Sequence, residues 1–139
     1  MPVPAEYGQA TDEFYKFLVD ARDLADLWST HVTYTMTQGV FQVFRRRISI
    51  KEALAFANIL PVGLRALFVA DWDTEEPIKS FEDRESLTEE VKSLRKEHNF
   101  STDNAIDVIA KTLRKHVDEA ALDKLLQDFS VEAREFWKV

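Results

Sequence analysis

Apolar side chains recur at intervals of three and four residues along most of this chain, the spacing of one face of a helix. Phe14, Phe17, Leu18, Ala21, Leu24, Ala25 and Trp28 mark a first helix that Thr11 or Asp12 can cap. The following "STHVTYTMT" is β-branched and strand-like by propensity, but it has no second such run to pair with. It reads as a linker entering a second helix near Thr35, which carries Met36, Val40, Val43 and Phe44. Ser49 and Glu52 form a capping box at the head of a third helix with Ala53, Phe56, Ala57 and Leu60. Pro61 suits the first position of a fourth, where its missing N–H costs nothing; Leu64, Leu67 and Phe68 are its apolar stripe. Residues 71–83 read as a loop and hinge. Leu87, Val91 and Leu94 mark a fifth helix from about Asp83. Ser101 or Thr102 caps a sixth (Ala105, Val108, Ile109, Leu113), Asp118 a seventh (Leu122, Leu125, Leu126, Phe129) and Ser130 an eighth (Val131, Arg134, Phe136, Trp137). The pattern predicts an all-α fold of about eight helices.

Shifted by 69 residues, 44–68 falls on 113–137 without a gap. Arg45/Arg114, Val62/Val131 and Arg65/Arg134 are identical. Phe44/Leu113, Ile48/Val117, Phe56/Leu125, Leu60/Phe129, Leu67/Phe136 and Phe68/Trp137 are large and apolar on both lines, and the helix starts Ser49/Asp118 and Pro61/Ser130 coincide. We therefore expect an N-terminal arm (1–10) and a single domain (11–139). The domain is two pseudo-repeats of a four-helix unit, about 11–72 and 81–139, packed as one pseudo-two-fold bundle. Leu64, Phe68, Leu125, Phe129 and Phe136 are predicted core. Phe68 with Trp72, and Phe136 with Trp137, are expected where the halves meet, because so small a unit cannot hide such clusters alone.

A length of 139 residues, 45% hydrophobic and 31% charged, is that of a globular domain with a real core. Three glycines and four prolines favour helices over irregular loops. The absence of cysteine removes disulfides, zinc thiolates, iron–sulfur ligation and a thiol nucleophile, and suits a cytoplasmic setting. A net charge of −7 repels a phosphate backbone, so no nucleic-acid partner is expected. The N-terminal sequence shows no basic or apolar leader, and no run approaches the ~20 apolar residues of a membrane span, so no membrane association is expected.

Several motifs invite chemistry. Asp71, Asp73, Glu75, Lys79 and Glu82 stand at positions one, three, five, nine and twelve of a possible calcium loop, but Glu76 and Pro77 occupy the sharp turn that needs glycine. A solvated acidic linker is the better reading. The run Arg45–Arg46–Arg47 cannot share one helix face, since successive residues point about 100° apart; capping of the helix C-terminus and ion pairing suit it better than anion binding. Arg65 and Arg134 are expected to bridge carboxylates or helix-end carbonyls within their own halves. His31, His98 and His116 lack metal-pair spacing, and no glycine-rich oxyanion loop accompanies the Thr-rich segment around His31. No catalytic residue, cofactor or metal is therefore assigned. The composition favours a non-enzymatic module that binds a protein partner or its own copy, with Trp72, Trp28, Tyr34, Trp137, Arg65 and Arg134 as partner-binding candidates. The alternative is a small-ligand binder or enzyme with a pocket between the pseudo-repeats.

Leu60, Pro61, Leu64, Arg65, Phe68 and Trp72, followed by an acidic loop, a helix, and Leu113, Arg114, Val117, Phe129, Arg134 and Trp137, resemble a bacterial family known as domain of unknown function 2267. The resemblance spans roughly residues 10–138. In that family an acidic residue and glycine often precede the Trp; here Ala70 and Asp71 stand there. The resemblance implies an all-helical, internally duplicated fold and no particular activity.

Overall fold

Helix starts in this chain are set by short polar side chains that accept a free backbone N–H. A computed structural model describes residues 3–94 and 100–139; His98 lies outside them. Among the described residues there are nine helices and no strand: α1 (Ala5–Gly8), α2 (Ala10–Leu24), α3 (Thr30–Arg45), α4 (Ile50–Asn58), α5 (Val62–Val69), α6 (Arg84–Ser93), α7 (Ala105–His116), α8 (Glu119–Leu126) and α9 (Val131–Trp137). Ser29, Ser49, Asp83, Asp118 and Ser130 each cap the helix that follows, and Ser49 and Glu52 complete the capping box.

Some boundaries differ from the sequence expectation. Residues 5–8 already form a helical turn, and α2 begins at Ala10 behind Gln9 rather than behind Thr11 or Asp12. The N-cap of α7 is Asn104, which makes no side-chain cap bond; Thr102 instead donates its hydroxyl to the Asn104 side chain. The Thr-rich segment is helix from Thr30 onward. Its β-branched residues are accommodated because their hydroxyls bond carbonyls one turn back, Thr35 to His31 at 3.2 Å and Thr37 to Thr33 at 2.7 Å, while Thr33 also reaches Leu18 O of α2 at 3.0 Å. Tertiary packing outweighs strand propensity here.

α2 packs on α3, α5 and α7, and α3 also packs on α5, α6 and α7. Elements from both ends of the chain thus share one core. Its centre is aromatic. The Trp137 ring lies 5.2 Å from Phe44, 5.3 Å from Phe56 and 5.1 Å from Phe136, and Phe56 in turn lies 5.1 Å from Phe68. Phe68, Phe136 and Trp137 therefore meet between the halves as expected, whereas Trp72 lies only half-buried at the margin. Leu64, Phe68, Phe129 and Phe136 are buried. Leu125 is a correction: Leu122 and Leu126 occupy the buried stripe of α8, and Leu125 packs half-exposed beside it.

With few glycines available for helix C-termini, arginines serve those ends instead. Arg45 donates to the carbonyls of Phe68 and Ala70, both at 2.8 Å, and Arg114 donates to Trp137 O at 2.9 Å. Arg65 reaches Ala57 O (3.2 Å) and Leu60 O (3.1 Å), and Arg134 reaches Leu126 O (3.4 Å) and Phe129 O (2.7 Å). Each pair of arginines selects carbonyls that are themselves 69 residues apart. α2 closes differently: Asp26 adopts a left-handed φ of 54°, and Leu27 N–H bonds Arg22 O at 2.9 Å, a Schellman turn without glycine.

Candidate functional site

The three arginines after α3 organise the surface next to them. Arg46 N–H and Arg47 N–H groups grip the Glu90 carboxylate of α6, at 3.1 Å from Arg46 and at 3.0 and 2.7 Å from Arg47. Burial alone raises the pKa of Glu90; the hydrogen bonds from Arg47 and Arg46 more than reverse this and hold it below the usual carboxylate value. Arg47 also donates to Ser80 O at 3.1 Å, and Lys79 N–H bonds Arg46 O at 3.0 Å. Segment 71–83 is therefore pinned along α3 and is not a free hinge. Phe81, within it, packs 6.3 Å from both Phe44 and Phe136.

The carboxylates of the calcium-like motif point to different tasks. Asp73 accepts Glu75 N–H at 3.0 Å, Glu76 pairs with Arg46 at 3.5 Å, and Glu82 lies 3.8 Å from Arg47. Among the described residues no three His, Asp or Glu side chains converge as a metal site, and no helix is long and apolar enough to cross a membrane. Asp71 has φ 54°, so the left-handed turn ahead of Trp72, where the family resemblance leads one to expect glycine, is kept without it.

Beside this turn lies a cleft of about 90 Å³ between α4 and the 72–78 segment, lined by Arg45, Arg46, Ile48, Ile50, Trp72, Asp73, Thr74, Glu76, Pro77 and Ile78. The Arg45 guanidinium sits 5.5 Å from the Trp72 ring centroid, a cation–π contact that fixes the indole as one wall. Burial first, and the charge of Arg46 second, lower the pKa of Arg45, while Asp71 and Glu76 act the other way. Around the cleft stand large apolar side chains in water: Ile50 is 49% exposed, Leu54 53% and Ile78 63%. Ile50 and Leu54 are one turn apart on α4 and share a face.

The second half shows what this position holds elsewhere on the same pattern. Glu119 and Asp123 stand 69 residues after Ile50 and Leu54. Both accept hydrogen bonds from Arg114, at 3.2 and 2.9 Å. Where the second half satisfies its arginine with two exposed carboxylates, the first half carries Ile and Leu, and Arg45 turns to Asp71 O (3.2 Å) and to Trp72 instead. Ile50, Leu54 and Ile78 were not singled out from the sequence. The signal was available in the aligned halves: two apolar residues on an exposed helix face opposite two carboxylates.

The remaining sequence candidates are dispersed. Trp28 follows the Schellman turn and is 78% exposed. Tyr34 is half-buried, edge-on to Phe14 at 6.2 Å and stacked on His31 at 6.3 Å. Trp137, expected at the surface, is completely buried; its Nε1 has no hydrogen-bond partner among the described residues. Arg65 and Arg134 are engaged by helix-end carbonyls, as anticipated for their structural role. The junction between the halves, where a ligand pocket was the alternative, is filled by Phe44, Phe56, Phe68, Phe136 and Trp137. A separate open apolar groove of about 400 Å³ runs along α2 over Phe14, Tyr15, Leu18 and Gly63.

No curated protein matches the chain. A family model described as "uncharacterized conserved protein (DUF2267)" matches residues 14–136, most of the chain and all of the helices that build the core. The chain belongs to the DUF2267 family.

Proposed function

We propose that this protein is a non-enzymatic interaction module that docks a protein partner on the face formed by α4 and the 72–78 segment. The observation that carries this reading is the pair Ile50 and Leu54, left in water where the corresponding positions of the second half hold the ion-paired Glu119 and Asp123. The same helix-and-arginine scaffold tolerates a polar surface there, so the apolar pair is not needed to build the fold. Burying two such side chains is worth about 1.5–3 kcal/mol each, which makes them natural anchors of an interface. Trp72, held by Arg45, supplies a rigid aromatic wall between them and Ile78. A cleft of about 90 Å³ is below the ~300 Å³ of ordinary metabolite sites, which favours a protein side chain as its occupant.

The test copies the second half onto the first. The double variant Ile50→Glu/Leu54→Asp should fold as well as the parent. Proteins retained from source-cell extract by the parent and not by the variant are then purified and re-measured as pairs. A partner that binds both forms with equal affinity removes this face from consideration.

A further inference from the structure

We infer, on the reading of the α4 face as an interaction surface, that its occupant is a basic amphipathic helix of another protein. Three features of the face select it. The exposed apolar groups form two short rows, Ile50 with Leu54 on α4 and Trp72 with Ile78 across the cleft. A helix presenting apolar residues at i and i+4 fits between such rows and seats one side chain in the cleft. The space of about 90 Å³ is smaller than a cavity that holds benzene, so it suits an aliphatic side chain better than an aromatic one.

Charge selects the flank of that helix. Glu76 and Glu82 are occupied by Arg46 and Arg47, but Asp71, Asp73 and Glu75 face water beside Trp72. Lys51 adjoins Ile50 on α4, so positive charge on the incoming helix belongs on the side of the 71–75 turn. The whole chain carries −7, which draws a basic segment in and opposes a second copy of itself.

The probe is a labelled amphipathic peptide of about 18 residues with Leu at i, i+4 spacing and Lys on its flanks, compared with a twin in which Glu replaces Lys. Binding to the full chain is read by fluorescence anisotropy between about 50 and 300 mM salt. The Lys peptide should bind at least tenfold more tightly than its twin at low salt, and the difference should shrink as salt rises. Asp71→Asn/Asp73→Asn/Glu75→Gln should remove most of that preference; Asn tolerates the left-handed backbone at position 71 and keeps the oxygen that accepts Glu75 N–H. Ile50→Glu/Leu54→Asp should abolish saturable binding although it adds two negative charges, a readout that charge attraction alone would move the opposite way.

Equal binding of the two peptides overturns the inference, as does undiminished binding of the Lys peptide to Ile50→Glu/Leu54→Asp. If the Lys peptide fails to bind while a natural partner still loses affinity in that double variant, the helix is not basic and the interaction face stands. If the natural partner is also unaffected, both fail. A concentration-dependent dimer, seen by sedimentation and lost in the double variant, would replace the foreign helix with a second copy.

Discussion

Replacing Trp137 by alanine perturbs the place where the two ends of the chain meet. The indole is fully buried and its neighbours come from three helices: Phe41 and Phe44 of α3, Phe56 of α4 and Phe136 of α9. A tryptophan buries roughly 150–250 Å², so the transfer contribution is about 4–6 kcal/mol at 25 cal/mol per Å². Loss of the unpartnered Nε1–H from the interior returns about 1–3 kcal/mol, and the void left behind costs more than transfer alone. A net loss of about 3–5 kcal/mol is expected, within the range measured for large aromatic truncations. Trp137→Phe removes the same unpartnered donor and keeps a ring, so it should cost less than half as much. Urea unfolding followed by far-UV circular dichroism and by the fluorescence of the remaining tryptophans measures both. The parent should unfold in one transition by both probes, because this cluster joins the halves. A loss below about 1 kcal/mol for Trp137→Ala, or two separate transitions in the parent, would refute the joint aromatic core.

Three further outcomes follow from the packing and the charges. Gly63→Ala should destabilise by about 1–2 kcal/mol in a urea melt although alanine is the better helix former, because its Cβ would sit 2.6 Å from Phe14 Cδ2 and 3.0 Å from Phe14 Cβ, forcing α2 and α5 apart. Glu90→Gln should cost about 1–3 kcal/mol near pH 7. The folded-state pKa of Glu90 is depressed, so its stabilisation is complete above its unfolded value of about 4.3 and fades as pH falls through the lower folded value; the parent and the variant should converge in stability there. Arg65→Met and Arg134→Met should each cost about 1–3 kcal/mol, since each leaves the C-terminal carbonyls of α4 or α8 without their charged donor; a loss under about 0.5 kcal/mol in thermal unfolding would remove that capping role.

Most of the helical pattern was legible because its signals are local. Ser49, Asp118 and Ser130 cap the helices they precede, and the apolar spacing from Ala53 to Phe68 is the buried face of α4 and α5. The start of α3 was misread because strand propensity is a weak preference, and the Thr33 and Thr37 hydroxyls find carbonyl partners only once the helix and its neighbour α2 exist. The fate of Trp137 was hidden for a related reason. A Trp two residues from the last position reads as surface, and only the packing of α9 across α3 and α4 encloses it. The role of Arg65 and Arg134 was foreseen because both ends of each contact lie within one short repeat unit. The apolar face was visible only by contrast, in Ile50 and Leu54 set against Glu119 and Asp123.

That contrast also gives the most direct measurement. Calorimetric titration of the purified partner compares the parent, Ile50→Glu/Leu54→Asp in the first half and Glu119→Ile/Asp123→Leu in the second, alongside the melting temperature of each. The first variant should lose about 100-fold in affinity, the loss of two buried anchors, with its melting temperature little changed. The second should bind as the parent does. Unchanged affinity in the first variant, or an equal loss in the second, would contradict the assignment of the α4 face as the surface through which this protein works.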